Sequence, residues 1–218
     1  MTTSETEYPA EIIEHRWLSQ RAFEIKLRRP KTFKFKPGQW VSLKYKNLER
    51  DYSMASAPDD AHLALCIRYV EDGQLSQILG DNEIGSRLSF CGPHGYFTFK
   101  PSPRPAVLVA TGTGIAPFRS MVRSGVTPGF ILHGVESSTD LYYANELQTG
   151  SGSYIPCLSQ SSKSQTYFKG RVTDYLQRHL PSGHYDFYLC GGRKMIRDVT
   201  LLVDELFEDS LVYTEAFY

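Results

Sequence analysis

Two glycine-rich turns stand where apolar strands give way to helices: "ATGTGIAPF" (Ala110–Phe118) and "CGGRKMI" (Cys190–Ile196). Glycine there lets the backbone approach a diphosphate or a ring closely, and the helix N-terminus behind it favours anionic groups. Gly-x-Gly followed by Ile-Ala-Pro is not the G-x-G-x-x-G dinucleotide fingerprint, and a tight strand-to-helix turn accounts for either glycine pair alone. A third stretch, "RDYSMAS", crowds Arg50, Asp51, Tyr52 and Ser53 into one short strand; alone these read as a surface Arg, a core Tyr and a filler Ser. Cys190 closes a strand, where a lone thiol is usually packing.

Other chemistries have no footing. Paired catalytic carboxylates, a Ser-His-Asp order and metal-ligand clusters are not seen, and His62, His94, His133, His179 and His184 are dispersed, as structural or exposed histidines are. Cys66, Cys91, Cys157 and Cys190 show no C-x-x-C or plant-type cluster spacing, so neither zinc nor an iron–sulfur centre is expected. In a reducing compartment they are small buried hydrophobes, not disulfides.

The elements that must position these residues change texture midway. From Ala10 to Phe99, short runs rich in β-branched and aromatic residues ("EIIEHRWLS", "AFEIKLRR", "WVSLKYK", "YSMAS", "LALCIRYV", "RLSFCGPHGYF") are broken by Pro, Gly, Asn and Asp. Six strands at this spacing predict an antiparallel β-barrel with one short helix at "LSQILGD". "KPSPRPAV", with three prolines, reads as a stiff linker. Beyond it "AVLVA" is a continuous apolar run, followed by a helix over Ala116–Arg123. Then "GFILHGV", "YIPCLSQ", "DFYLCGG" and "LVYTEAF" alternate with helical patterns at "YYANELQ", "VTDYLQRHL" and "RKMIRDVTLLVDELF". Strands separated by helices predict a doubly wound parallel α/β domain. A ligand site is expected between the two domains, at the carboxyl ends of the parallel strands.

The 218 residues, 41% hydrophobic and 22% charged, belong to the globular range. Lys and Arg number 24 and so do Asp and Glu, which leaves no net field to collect nucleic acid or an anionic membrane. No basic-then-apolar leader and no run of about eighteen apolar residues occurs, so a cytoplasmic location is expected.

Taken in order, "PGQW", "RDYS", "DGQLS", "GPHGYF", "TGTGIAP", "CGG" and a final "TEAFY" resemble the ferredoxin–NADP reductase superfamily, over about Ile12 to the last residue. The resemblance implies an FAD-binding barrel over residues 1–101 and an NAD(P)-binding α/β domain over 102–218. It implies that Arg50 pairs with the flavin pyrophosphate through its planar guanidinium, that Tyr52 packs on the ring or ribityl chain, and that Ser53 directs its hydroxyl at flavin N5, with Asp51 beside them. Arg68, Tyr69 and Val70 would line the cofactor. Gly73, Gln74, Leu75 and Ser76 would offer amides and a hydroxyl to its phosphate. Thr111, Gly112, Thr113, Gly114, Gly134, Gly191 and Gly192 would contact the nicotinamide nucleotide. Cys190 would sit near nicotinamide C4, Glu215 would aid proton delivery, and Phe217 or Tyr218 would cover the flavin.

Relatives that prefer NADP carry a Ser-Arg pair after the third parallel strand; here Ser159 is followed by Gln160, which favours NADH, although Lys163 could supply a charge and Glu136 is a candidate acidic partner for a ribose hydroxyl. The implied activity is hydride transfer from NADH or NADPH to FAD and on to a ferredoxin or oxygenase component. A free-flavin reductase and a non-catalytic electron-transfer subunit are the alternatives.

Overall fold

The computed structural model describes residues 6–160 and 167–216. Six antiparallel strands come first: β1 (Glu7–Ser19), β2 (Ala22–Arg28), β3 (Trp40–Tyr45), β4 (Leu48–Ser53), β5 (His62–Arg68) and β6 (Arg87–His94). They pair in the order β4-β3-β6-β1-β2-β5, and a bridge between Met54 and Leu65 joins the two outer strands into a barrel. Its core follows from period two: Phe23, Ile25 and Leu27 of β2 meet Leu63, Leu65 and Ile67 of β5, all fully buried. The alternate residues of the same strands, Ala22, Glu24, Ala64 and Cys66, are buried too, because the second half of the chain covers that face. Three alanines here (Ala22, Ala55, Ala64) allow a close approach. One helix, α1 (Gln74–Asp81), packs beside β4.

The fourth strand departs from the pattern expected at "YSMAS". It begins at Leu48 and ends at Ser53 because Lys46, at φ 55°, turns the chain so that β4 pairs with β3 from Tyr45↔Leu48 to Trp40↔Ser53. "LERD" is polar without alternation, so pattern alone does not mark it as a strand.

After the proline-rich segment, tied down by Arg104 Nε donating to Asp186 Oδ1 at 2.7 Å, the chain builds a wholly parallel sheet. Its strands are β7 (Ala106–Thr111), β8 (Phe130–Val135), β9 (Ser153–Leu158), β10 (Phe168–Lys169), β11 (Asp186–Gly191) and β12 (Leu211–Ala216), in the order β10-β9-β8-β7-β11-β12. Helices α2 (Ala116–Arg123), α3 (Ala144–Thr149), α4 (Val172–His179) and α5 (Arg193–Leu206) connect them. The two-residue β10 has too few residues to leave a periodic signal. Between β7 and β11 the winding reverses direction, which opens a crevice at the carboxyl ends of those two strands.

The halves share a core in which Ala55, Cys66 and Phe97 of the barrel pack with Leu108, Ile115, Phe118 and Tyr142. They also share a buried ionic cluster. Arg119 of α2 donates to Glu24 of β2 (2.9 Å) and to both oxygens of Glu146 (2.9 and 3.0 Å), and its guanidinium lies 4.1 Å from the Tyr143 ring centre. The Tyr143 hydroxyl donates to Glu24 as well, at 2.8 Å. Burial alone would lower the Arg119 pKa, but Glu146, Tyr143 and Glu24 outweigh it and hold the charge in place. Further out, Arg123 pairs with Asp60 (2.7 Å), and within the buried seam the Ser120 hydroxyl donates to the Ser56 carbonyl (2.6 Å).

Candidate functional site

A cleft of about 480 Å³ runs from the barrel wall across the switch in the parallel sheet. From the barrel it is lined by Asp51, Tyr52, Ser53, Cys66 and Arg68; from the sheet by Thr111–Gly114, Gly134 and Gly191–Gly192. Half of the flavin and nicotinamide site residues singled out from sequence therefore meet in one place.

On the barrel side, strand alternation separates the members of "RDYS". Tyr52 faces inward, among the barrel's core residues, and only its edge borders the cleft. Asp51 and Ser53 are on the opposite face, as are their cross-strand partners Ser42 and Trp40; Ser42 Oγ donates to Asp51 Oδ1 at 2.6 Å. The Ser53 hydroxyl is buried and has no hydrogen-bond partner among the described residues. A buried hydroxyl left so costs roughly 1–3 kcal/mol, which is recovered when a bound group supplies the missing acceptor. Arg50 lies outside the cleft, exposed, with Nη1 donating to the Glu49 carbonyl at 2.7 Å.

Beside β4, residues 69–76 form a separate shelf outside the cleft. Gly73 caps α1 and Gln74 opens it, so the first-turn amides have no intrahelical partners. The Ser76 hydroxyl accepts from Val70 N–H (3.2 Å) and donates to the Gly73 carbonyl (3.0 Å). It is committed to the turn, so a phosphate here would be met by amides and not by the hydroxyl expected from sequence. Leu75 is buried in the barrel core, and Tyr69 is half-buried against Trp17, with ring centres 5.4 Å apart.

On the sheet side the turn after β7 is tightly held. Gly112 has φ 53°, in the left-handed region where glycine carries no penalty. Gly114 has no room for a side chain, since a Cβ there would lie 2.4 Å from the Cys190 carbonyl oxygen. The Thr111 hydroxyl accepts from Gly192 N–H at 3.1 Å, linking the two glycine turns across the switch. The Cys190 thiol does not border the cleft; it lies fully buried beneath it, and burial first, then the nearby Glu215 charge, pushes its pKa well up. Glu215, paired in register with Cys190 on β12, comes close to Gly95 of the barrel. Burial, and after it the Asp51 carboxylate, raises its pKa above the usual carboxylate range. Phe217, Tyr218 and Lys163 lie outside the described residues.

Sequence reasoning missed several lining groups: Arg21, Asp140, Tyr142, Gly170–Thr173, Lys194 and Asp198. "FKGRVT" offered a signal, because Gly170 and Arg171 open α4 much as Gly192 and Arg193 open α5. Arg21 offered none; it crosses from the barrel and donates to Glu136 Oε2 at 2.5 Å, to which Gln160 Nε2 donates at 3.1 Å. No group of three or more His, Cys, Asp or Glu among the described residues is placed to hold a metal ion. None of the described helices is long and apolar enough to cross a membrane.

The residues fit a flavin: an acceptor-seeking buried hydroxyl on the barrel wall, helix N-terminal amides without intrahelical partners at α1 beside it, and an open crevice against that wall. Comparison with known proteins gives the same composition of parts. Residues 9–99 match the oxidoreductase FAD-binding domain family and residues 108–200 the oxidoreductase NAD-binding domain family. Ferredoxin–NADP reductase B of Sorangium cellulosum is 37% identical over 218 aligned positions, covering 87% of this chain and 88% of that protein. The toluate 1,2-dioxygenase electron transfer component of Pseudomonas putida is 31% identical and covers 91% of this chain, which spans only 63% of that longer protein. A ferredoxin NADP+ reductase from Neisseria gonorrhoeae, solved with FAD and NADP bound, shares the fold with a TM-score of 0.85 at 18% identity, over 97% of this chain and 99% of that one.

Proposed function

This chain belongs to the ferredoxin–NADP reductase superfamily and is an FAD- and NAD(P)H-dependent reductase, and from that premise we propose which of its residues do the work and what it serves. When bound, FAD accepts a hydride at N5 from the nicotinamide and releases the electrons to an acceptor. Residues 1–101 hold the flavin and residues 102–218 the nicotinamide nucleotide.

Ser53 would offer N5 its hydroxyl, which has no partner among the described residues; that orphaned group in the wall of the cleft is the observation that carries the assignment. Arg50 and the free first-turn amides of α1 would hold the pyrophosphate. The turn Thr111–Gly114 and the pair Gly191–Gly192 seat the nicotinamide. Cys190 lies beneath them and supports the first turn from below, its carbonyl packed against Gly114. Glu215, with its raised pKa, holds a proton near the flavin at higher pH than an ordinary carboxylate would. NADH is the preferred donor, because Gln160 stands where an Arg would meet a 2′-phosphate and because the Glu136 carboxylate beside it repels that phosphate.

The acceptor is a protein, a ferredoxin or an oxygenase component, in keeping with the named roles of the relatives. Purified protein should carry FAD near one equivalent and bleach within seconds on adding NADH. Arg50→Ala should emerge depleted of FAD; full occupancy would remove Arg50 from the site. Reduction of added free flavin by a colourless preparation, with no turnover on ferredoxin, would favour the free-flavin reductase reading instead.

A further inference from the structure

His133 lies in the middle of β8, fully buried, between Ala110 of β7 and Pro156 of β9. Neither ring nitrogen is idle. Nε2 is 3.0 Å from the Gly112 carbonyl oxygen and Nδ1 is 3.0 Å from the Tyr154 hydroxyl. A carbonyl can only accept, so Nε2 carries the hydrogen, and Nδ1 must accept from Tyr154. Burial favours this neutral form: it brings the imidazole pKa down to about 4, and it raises that of the Tyr154 hydroxyl, which stays a donor. Asp140, in the turn after β8, favours the charged ring but does not outweigh burial, and Tyr142 is the other titratable neighbour.

What this pair holds is the one left-handed peptide in the turn after β7. A trans peptide is planar, so its C=O and N–H point in opposite directions. Fixing the Gly112 carbonyl down against the sheet aims the N–H of the same peptide, that of Thr113, away from it. Thr113 borders the cleft and belongs to the first turn of a short 3₁₀ helix (Gly112–Ile115), where N–H groups have no intrahelical acceptor. The i→i+3 bonding of that helix engages the same carbonyl from above, so the His133 imidazole is its second anchor, from the sheet below.

We propose that His133, oriented by Tyr154, is a positioning residue for the nicotinamide turn: by holding the Gly112 carbonyl it presents the Thr113 N–H to the dinucleotide in the cleft. This rests on the reading of that cleft as the NAD(P)H site. It differs from a packing role in predicting that the donor at Nε2, and not the ring, is what matters.

Three substitutions and one spectrum test it on the FAD-loaded protein. His133→Leu keeps an apolar filler but removes the donor; the Kd for NAD+, measured calorimetrically without turnover, and the KM for NADH should both rise about tenfold or more, with kcat changing less than threefold and FAD content unchanged. His133→Gln, whose Nε2 can reach a similar point, should restore both constants to within about threefold of the parent. Tyr154→Phe should give an intermediate, severalfold rise. In the unsubstituted protein, nitrogen NMR of the imidazole should show the Nε2–H tautomer at pH 6. Equal nucleotide affinity in His133→Leu and the parent, or failure of His133→Gln to recover it, would overturn the proposal. So would an imidazolium or the Nδ1–H tautomer at pH 6, a result that needs no variant to fold. If instead the parent protein itself binds neither nicotinamide, it is the underlying reading of the cleft that falls.

Discussion

Ser53 and His133 are both buried polar side chains within the two walls of one cleft, and they are treated in opposite ways. Among the described residues the Ser53 hydroxyl of the barrel has no partner, whereas the parallel sheet gives His133 a partner on each nitrogen. The first arrangement stores a cost that a bound ring can relieve; the second spends its polar groups in advance on holding a backbone turn in shape. On the assignments proposed above, one wall is completed by its cofactor and the other is ready before its substrate arrives. This follows from the chemistry of the two guests, since a resident flavin can serve as part of the structure and a nicotinamide that comes and goes cannot.

The contrast can be broken in several places. Arg119→Ala should do the most damage, because it strips Glu24, a nearly fully buried carboxylate, of its main partner while both walls still depend on their alignment. A loss of about 3–5 kcal/mol in unfolding free energy is expected by denaturant titration. A loss below about 1 kcal/mol would mean that the shared apolar core aligns the halves unaided.

His133 should make stability depend on pH. Its folded pKa, about 4, lies below the unfolded value of 6.5, so across that interval the unfolded chain binds more protons and stability falls as pH falls. The full difference is on the order of 3 kcal/mol between pH 7 and pH 4. His133→Gln should flatten that part of the profile, measured against the parent at matched ionic strength.

Ser53→Ala should separate function from stability. Removing an unpartnered hydroxyl should leave FAD-free protein as stable as before or about 1 kcal/mol more so, while flavin reduction slows by roughly tenfold, or about 1.4 kcal/mol of barrier. A clear destabilisation without FAD would show that the hydroxyl has a structural duty and that the contrast drawn above is false. The smallest effect is expected from Gln160→Arg, which should shift kcat/KM toward NADPH by severalfold in steady-state assays. With Arg21 already paired to Glu136 nearby, no shift at all would place selectivity on Arg21 and Glu136 rather than on Gln160.

Much of this was legible because local chemistry and tertiary position agree. The helix expected over Ala116–Arg123 is α2 as found, with proline in its first turn and Ser124-Gly125 after it. The glycine turns were readable for the same reason: both the backbone conformation at Gly112 and the lack of space at Gly114 demand glycine. What stayed hidden depends on pairs distant in the chain. Glu24 and Arg119 are 95 residues apart, and nothing in either neighbourhood marks them as partners. His133 reads as one more scattered histidine, which is what it would be if Gly112 did not lie above it. The alternation in "RDYS" was legible, but which face would carry Tyr52 was not, since that is set by pairing with Val41 across the hairpin.

Where many two-part nucleotide enzymes open and shut, the clasp of Arg119 between Glu24 and Glu146, backed by Tyr143 and the shared apolar seam, ties the two walls to a fixed gauge. The clasp, together with the glycine turns, then sets how far apart stand the two walls between which a flat ring must fit.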